Sequence, residues 1–257
     1  VTIDAVASPP PGYARTRVGG AEVVGIEAVL PGITEILARE TLYEHAAAHP
    51  ARRERTGRAP VYIMPLRGSD RPVVVRHAWH GGLLGSVTGD RFMPPTRAPY
   101  ELAMSMRLAS LRVPTPVVVA YAVYRAGPLL RRSDIVTEEI PDSADLAAIL
   151  SGASTVVPRR AAVDAAETLL RAMAHAGVRH PDLNLKNILI ALARGGSVTA
   201  FLLDVDRVDI DPSRARAASA NALRLTRSAR KWRDRHGAAI TDAEILALET
   251  AALGGRA

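Results

Sequence analysis

The chain has 257 residues, 48% of them hydrophobic and 23% charged, enough to bury a sizeable core in one domain or two packed lobes. It contains no cysteine, which excludes disulfides, thiolate metal sites and a cysteine nucleophile. A formal charge of +7 favours anionic partners, and no run of about 18 apolar residues offers a membrane span. Of the 33 basic residues only Lys186 and Lys231 are lysine, so tasks usually done by lysine fall to arginine.

In chain order, Val1 to Gly20 reads as a loose lead-in. It has no basic region followed by an apolar core, so no secretory signal is expected and the protein is placed in the cytoplasm. Ala28 to His49 reads as one helix, with Leu30, Ile33, Leu37 and Leu42 near helical spacing. Pro50 to Arg58 is a basic turn region. Pro60–Leu66 and Pro72–Arg76 follow as strands around the turn Arg67-Gly68-Ser69-Asp70. After Gly81, Gly82, Gly85 and Gly89 a helix is predicted over Ala98–Leu111, stopped by Pro114 and Pro116. Pro116–Tyr124 and Asp134–Ile140 read as a second strand pair. Helices are then predicted over Asp145–Leu150 and Arg159–Ala176, a short strand pair over Ile188–Leu192 and Ala200–Leu203, and more helix to the C-terminus. The fold class is therefore α+β with two unequal lobes. Residues 1–50 are an N-terminal extension and helix, 51–141 a small β-rich lobe, and 142–257 a mostly helical lobe.

The most informative segment is His180-Pro-Asp-Leu-Asn-Leu-Lys-Asn187, followed at once by an apolar strand. It sets an Asp and an Asn five residues apart. Seventeen residues beyond Asn187 (204 − 187), the strand Phe201-Leu-Leu ends in Asp204. Phosphoryl transfer needs a carboxylate beside the attacking hydroxyl and hard oxygen ligands that hold magnesium on the phosphates. Asp182 suits the first task, and Asn187 and Asp204 the second. The order and separation match the protein-kinase catalytic loop and its later metal-binding Asp, which points to ATP and Mg2+ as cofactors. The structural alternative is that Asp182 and Asn187 form an Asx-turn and Asp204 caps a loop.

A kinase also needs a strand-borne cation at the phosphates and a helix-borne Glu to hold it. Val73-Val-Val-Arg76 has the form of that strand, with Arg76 where lysine is usual, and Glu101 on the following helix is its expected partner. Gly57-Arg58 is the candidate phosphate-covering turn, although no G-x-G-x-x-G occurs there. Thr137-Glu138-Glu139-Ile140 lies where a hinge would offer the backbone of Glu138 and Ile140 to adenine.

On these residues the chain resembles the lipopolysaccharide kinase family, the bacterial Kdo and heptose kinases related to protein kinases. The matching stretches are Thr56-Gly57-Arg58, Val75-Arg76-His77 with Gly81-Gly82, Arg97 with Glu101, Thr137-Glu138 and the loop from His180 to Asn187. Leu203-Asp-x-Asp206 and the tail from Asn221 to Lys231 also match. The resemblance implies a two-lobed protein-kinase-like fold. It also implies ATP-dependent phosphorylation of a sugar hydroxyl on the lipid A–core acceptor, at the cytoplasmic face of the inner membrane. A small-molecule or antibiotic phosphotransferase of the same fold and a non-catalytic pseudokinase stand as alternatives. The predicted basic helix Arg214–His236 carries Arg224, Arg227, Arg230, Lys231, Arg233 and Arg235 with Leu223 and Trp232. Such a face suits an anionic membrane surface or lipid A phosphates, or is simply a solvated face. Low aromatic content, 4%, gives nucleic acid no stacking platform.

Overall fold

The computed structural model describes residues 8–55, 59–79 and 89–255. The chain divides into two compact units, one of residues 1–103 with 117–139, the other of residues 104–116 with 140–257.

The first unit opens with a hairpin where a lead-in was expected. Strands β1 (Tyr13–Val18) and β2 (Ala21–Ile26) pair across the Gly19-Gly20 turn. Both glycines have positive φ, 55° and 83°, which suits a two-residue hairpin turn. The expected helix over 28–49 is two helices, α1 (Leu30–Leu37) and α2 (Leu42–Ala48). The cause is a capping box. The Glu44 N–H donates to Thr41 Oγ1 at 3.2 Å and the Thr41 N–H to Glu44 Oε2 at 3.0 Å, which starts a new helix. Strand β3 (Arg53–Arg55) lies inside the expected basic turn. It has no apolar residue to signal it. Cross-strand pairing with β4 (Val61–Met64) holds it, together with a bond from Arg53 Nη2 to the buried Glu139 Oε2 at 2.5 Å.

Next come β5 (Val73–His77), α3 (Ala98–Ser110, counted with the second unit from Met104 on), β6 (Val118–Arg125) and β7 (Arg131–Glu138), close to the predicted bounds. The seven strands form one antiparallel sheet in the order β1-β2-β6-β7-β5-β4-β3. Strands β1 and β2 thus join the same sheet as β3–β7, through pairing of β2 with β6. Val23, Ile33, Leu42, Met64, Val73, Val75 and Val136 form the core between the sheet and the two short helices. The end of β5 is pinned by a polar node. The fully buried Asp134 accepts from the Tyr43 N–H (3.0 Å) and the Tyr124 hydroxyl (2.8 Å), and pairs with His77 Nδ1 at 2.5 Å. His77 Nε2 meets Asp90 at 3.1 Å. Burial alone would lower the His77 pKa, but the two carboxylates outweigh it and raise it.

The second unit is mostly helical, as expected. It contains β8 (Ser143–Asp145), α4 (Leu146–Leu150), α5 (Arg159–Ala176), β9 (Val178–Arg179), β10 (Ile188–Leu192), β11 (Val198–Leu202), β12 (Asp209–Ile210), α6 (Arg214–His236) and α7 (Asp242–Ala252). Small sheets β11-β10-β8 and β12-β9 are packed on α5, whose Ala162, Ala166, Leu170 and Met173 are buried. Gly177 ends α5 at φ 69°, and a Cβ there would stand 2.7 Å from the Asp211 carbonyl oxygen. Only glycine permits that close approach, which aligns β9 with β12.

Candidate active site

The loop between β9 and β10 is braced through its main chain. The Asp182 carbonyl accepts from the side-chain amides of Asn184 (2.8 Å) and Asn187 (2.9 Å). The Lys186 N–H donates to Asn184 Oδ1 at 3.0 Å, so the Asx-turn in this loop belongs to Asn184, not to Asp182 or Asn187. The Asp182 carboxylate is exposed and accepts no hydrogen bond from a described residue. Its main chain is held while the residue stays exposed.

Buried His180 ties this loop to the strand carrying Asp204. Its Nε2 meets the Leu203 carbonyl at 3.0 Å and its Nδ1 accepts from the Asp182 N–H at 3.1 Å. These partners assign the proton to Nε2. Burial lowers the His180 pKa, consistent with that neutral ring. The β10–β11 ladder pairs Ile188 with Leu202, and the Leu203 N–H donates to the Asn187 carbonyl at 2.9 Å. Asn187 and Asp204 are therefore set side by side at one end of that ladder. Asp204 sits in the left-handed region at φ 61°, ψ 49°, and its side chain makes no capping bond to the turn that follows.

In the first unit Arg76 Nη2 donates to Glu101 Oε1, so the structure brings that expected pair together on β5 and α3. At the hinge segment the Glu138 N–H donates to the Val117 carbonyl at 2.9 Å, and Arg71 lies 3.9 Å from its carboxylate. That amide is spent within the sheet. The Ile140 carbonyl accepts from Ser143 Oγ at 2.6 Å. Gly57 and Arg58 lie outside the described residues.

The profile of the lipopolysaccharide kinase (Kdo/WaaP) family matches residues 52–251, most of the chain. The chain belongs to that family. A 3-deoxy-D-manno-octulosonic acid kinase of Vibrio parahaemolyticus is 28% identical over 207 residues, 73% of this chain and 79% of that protein. The protein of the same name from Photobacterium damsela subsp. piscicida is 29% identical over 146 residues, 55% of this chain and 58% of its own length. The solved structure of WaaP in complex with acyl carrier protein aligns with a TM-score of 0.45 at 20% identity, covering 78% of this chain and 77% of that one.

The family tail that begins at Asn221 has a role the sequence did not disclose. One stripe of α6 holds the loop. Asn221 accepts from the His180 N–H (3.0 Å) and donates to the Val178 carbonyl (2.7 Å). Ser228 Oγ accepts from the Leu185 N–H at 3.2 Å, and Lys186 Nζ lies 5.6 Å from the centre of the Trp232 ring. The available signal was a polar Asn221 at helical spacing among the buried Ala217, Ala218, Ala222 and Leu225. Asn221→Ala leaves two buried backbone groups unpaired, each costing about 1–3 kcal/mol. A fall in the denaturant midpoint of that order, with lowered turnover, is the expected result. An unchanged midpoint would show that water replaces the amide.

Proposed function

We propose that this chain transfers the γ-phosphate of ATP to a sugar hydroxyl of the lipopolysaccharide inner core. The observation that carries the reading is the His180 link, which fixes an exposed carboxylate at Asp182 in register with Asn187 and Asp204. Asp182 accepts the proton of the attacking hydroxyl as the oxygen–phosphorus bond forms and ADP leaves. The donor set suits a hard dication. The Asn187 amide nitrogen is engaged by the Asp182 carbonyl, which leaves Oδ1 for a metal, and Asp204 offers an exposed carboxylate. Magnesium bound there would neutralise phosphate charge, and Arg76, oriented by Glu101, would supply the second positive group.

The names of the Vibrio and Photobacterium relatives support Kdo rather than heptose as the sugar. An anionic acceptor also fits α6, where Arg227, Arg230, Lys231 and Arg235 line a groove of about 460 Å³ together with Leu223 and Asp234. No described helix is long and apolar enough to cross a membrane, and we place the enzyme at the cytoplasmic face with its lipid-borne acceptor. The pseudokinase alternative is disfavoured because Asp182, Asn187 and Asp204 keep groups suited to their tasks.

Nucleotide binding titrated with and without magnesium tests the reading. Asp204→Asn should raise the magnesium concentration needed for ATP binding, since a neutral amide is a poorer ligand than a carboxylate. If the magnesium dependence of binding stays the same, Asp204 is a structural residue and the metal site is elsewhere.

A further inference from the structure

Three large apolar side chains stand in solvent at one end of the seven-stranded sheet. Trp79 is 51% exposed, and Met93 and Leu129 are each 68% exposed. The register brings them to the same end. Along one edge of β7 the Ala78 N–H donates to the Ser133 carbonyl at 2.9 Å. Further along the same edge Phe92 and Arg131 exchange both backbone bonds at 2.7 and 2.8 Å. Trp79 follows Ala78 and Met93 follows Phe92 in the chain. Leu129 lies in the turn joining β6 to β7, where the Ala126 N–H donates to the Leu130 carbonyl at 2.9 Å. A soluble protein seldom gathers large exposed apolar groups without a partner for them.

Basic side chains lie on the same segments. Arg91 and Arg125 are exposed and Arg131 is half-buried on the same segments. The acids of these segments are taken up internally, Asp90 by His77 and Arg132, and Asp134 by His77, Tyr43 and Tyr124. Tryptophan and aliphatic groups beside arginines are the composition that settles at a bilayer interface, with apolar groups among the acyl chains and guanidinium groups on headgroup phosphates. The helix α6 is basic as well; Trp79 meets the His77 ring edge-on at 5.1 Å and is still 51% exposed, whereas the aromatic of α6 is more buried. Trp232 is half-buried against Lys186 and His236.

We infer that the Trp79–Met93–Leu129 end of the sheet is the surface on which this protein rests on an anionic lipid bilayer. The inference gains its purpose from the lipid-borne acceptor proposed above. It is tested without nucleotide, so its failure and a failure of the kinase reading are separate results.

The experiment uses the full chain with vesicles of phosphatidylglycerol and phosphatidylcholine, and with phosphatidylcholine alone as a control. The chain has two tryptophans, so Trp232→Phe leaves Trp79 as the sole reporter. Its emission should shift to the blue on anionic vesicles and be quenched by lipids brominated on the acyl chain. In the otherwise unaltered protein, the triple change Trp79→Ser, Met93→Ser, Leu129→Ser should weaken vesicle binding at least about tenfold, with an unchanged melting temperature. Wild-type affinity in the triple variant, or no quenching of Trp79, would overturn the inference. So would a self-associating wild type that ignores vesicles and becomes monomeric in the triple variant, because the end of the sheet would then be a contact between copies.

Discussion

Asp182→Ala is expected to lower phosphate transfer by about 10²–10⁴-fold, the contribution of a positioned base, while leaving the fold and nucleotide binding nearly intact. The separation of the two effects follows from the geometry. The Asp182 main chain does the structural work, its N–H donating to His180 and its carbonyl accepting from Asn184 and Asn187. Alanine keeps all three bonds. The carboxylate itself is exposed and accepts no bond from a described residue, so its loss should change stability by no more than about 0.5 kcal/mol. Initial rates with saturating ATP, alongside a denaturation curve, check both halves. A variant that keeps more than about a tenth of the wild-type rate would remove Asp182 from the role of base.

Arg76→Ala should both raise the ATP requirement and lower turnover, because in the proposed reading its charge would serve the bound nucleotide and the transition state alike. The structural cost is also real. Glu101 is only 4% exposed, and its carboxylate loses the guanidinium that Arg76 donates. Removing one member of a fully buried pair costs about 3–5 kcal/mol, and the 31% exposure of the Arg76 side chain puts this case below that range. Glu101→Ala should give a milder kinetic defect, since it orients Arg76 without touching phosphate. In the double variant the two losses should not add, with a coupling of about 0.5–3 kcal/mol expected for groups in contact. Kinetic constants for the wild type, both single variants and the double variant decide the point. Full additivity would mean that Arg76 is oriented by something other than Glu101.

The parts of this protein that were legible in the sequence are those where periodicity and spacing carry the signal. The long helix α5 was expected at the bounds it has, Arg159–Ala176, because its apolar residues recur at helical spacing. The order Asp182, Asn187, strand, strand, Asp204 also survives, because a ladder pairing Ile188 with Leu202 needs that loop length. What was not legible depends on partners distant in sequence. The strand β3 is polar throughout and exists because β4 and Glu139 hold it. The hairpin β1–β2 hides because β1 alternates exposed Arg15 and Arg17 with half-buried residues, and its partner β2 joins the rest of the sheet through β6. The break before α2 was readable from Thr41 and Glu44, but helical spacing across residues 28–49 masked it. Asn221 acts on His180 across 41 residues, and nothing local to either residue announces the contact.

The central claim is that the chain phosphorylates an inner-core sugar, and one measurement reaches it directly. The purified protein is incubated with ATP labelled in the γ-phosphate, magnesium and lipid A acceptors carrying Kdo alone or Kdo with heptose, followed by isolation of the labelled glycolipid. The account predicts label on the Kdo residue of the acceptor, dependent on magnesium and absent with Asp182→Ala. Nucleotide binding with no label on either acceptor, or label that persists in the Asp182→Ala protein, would contradict it.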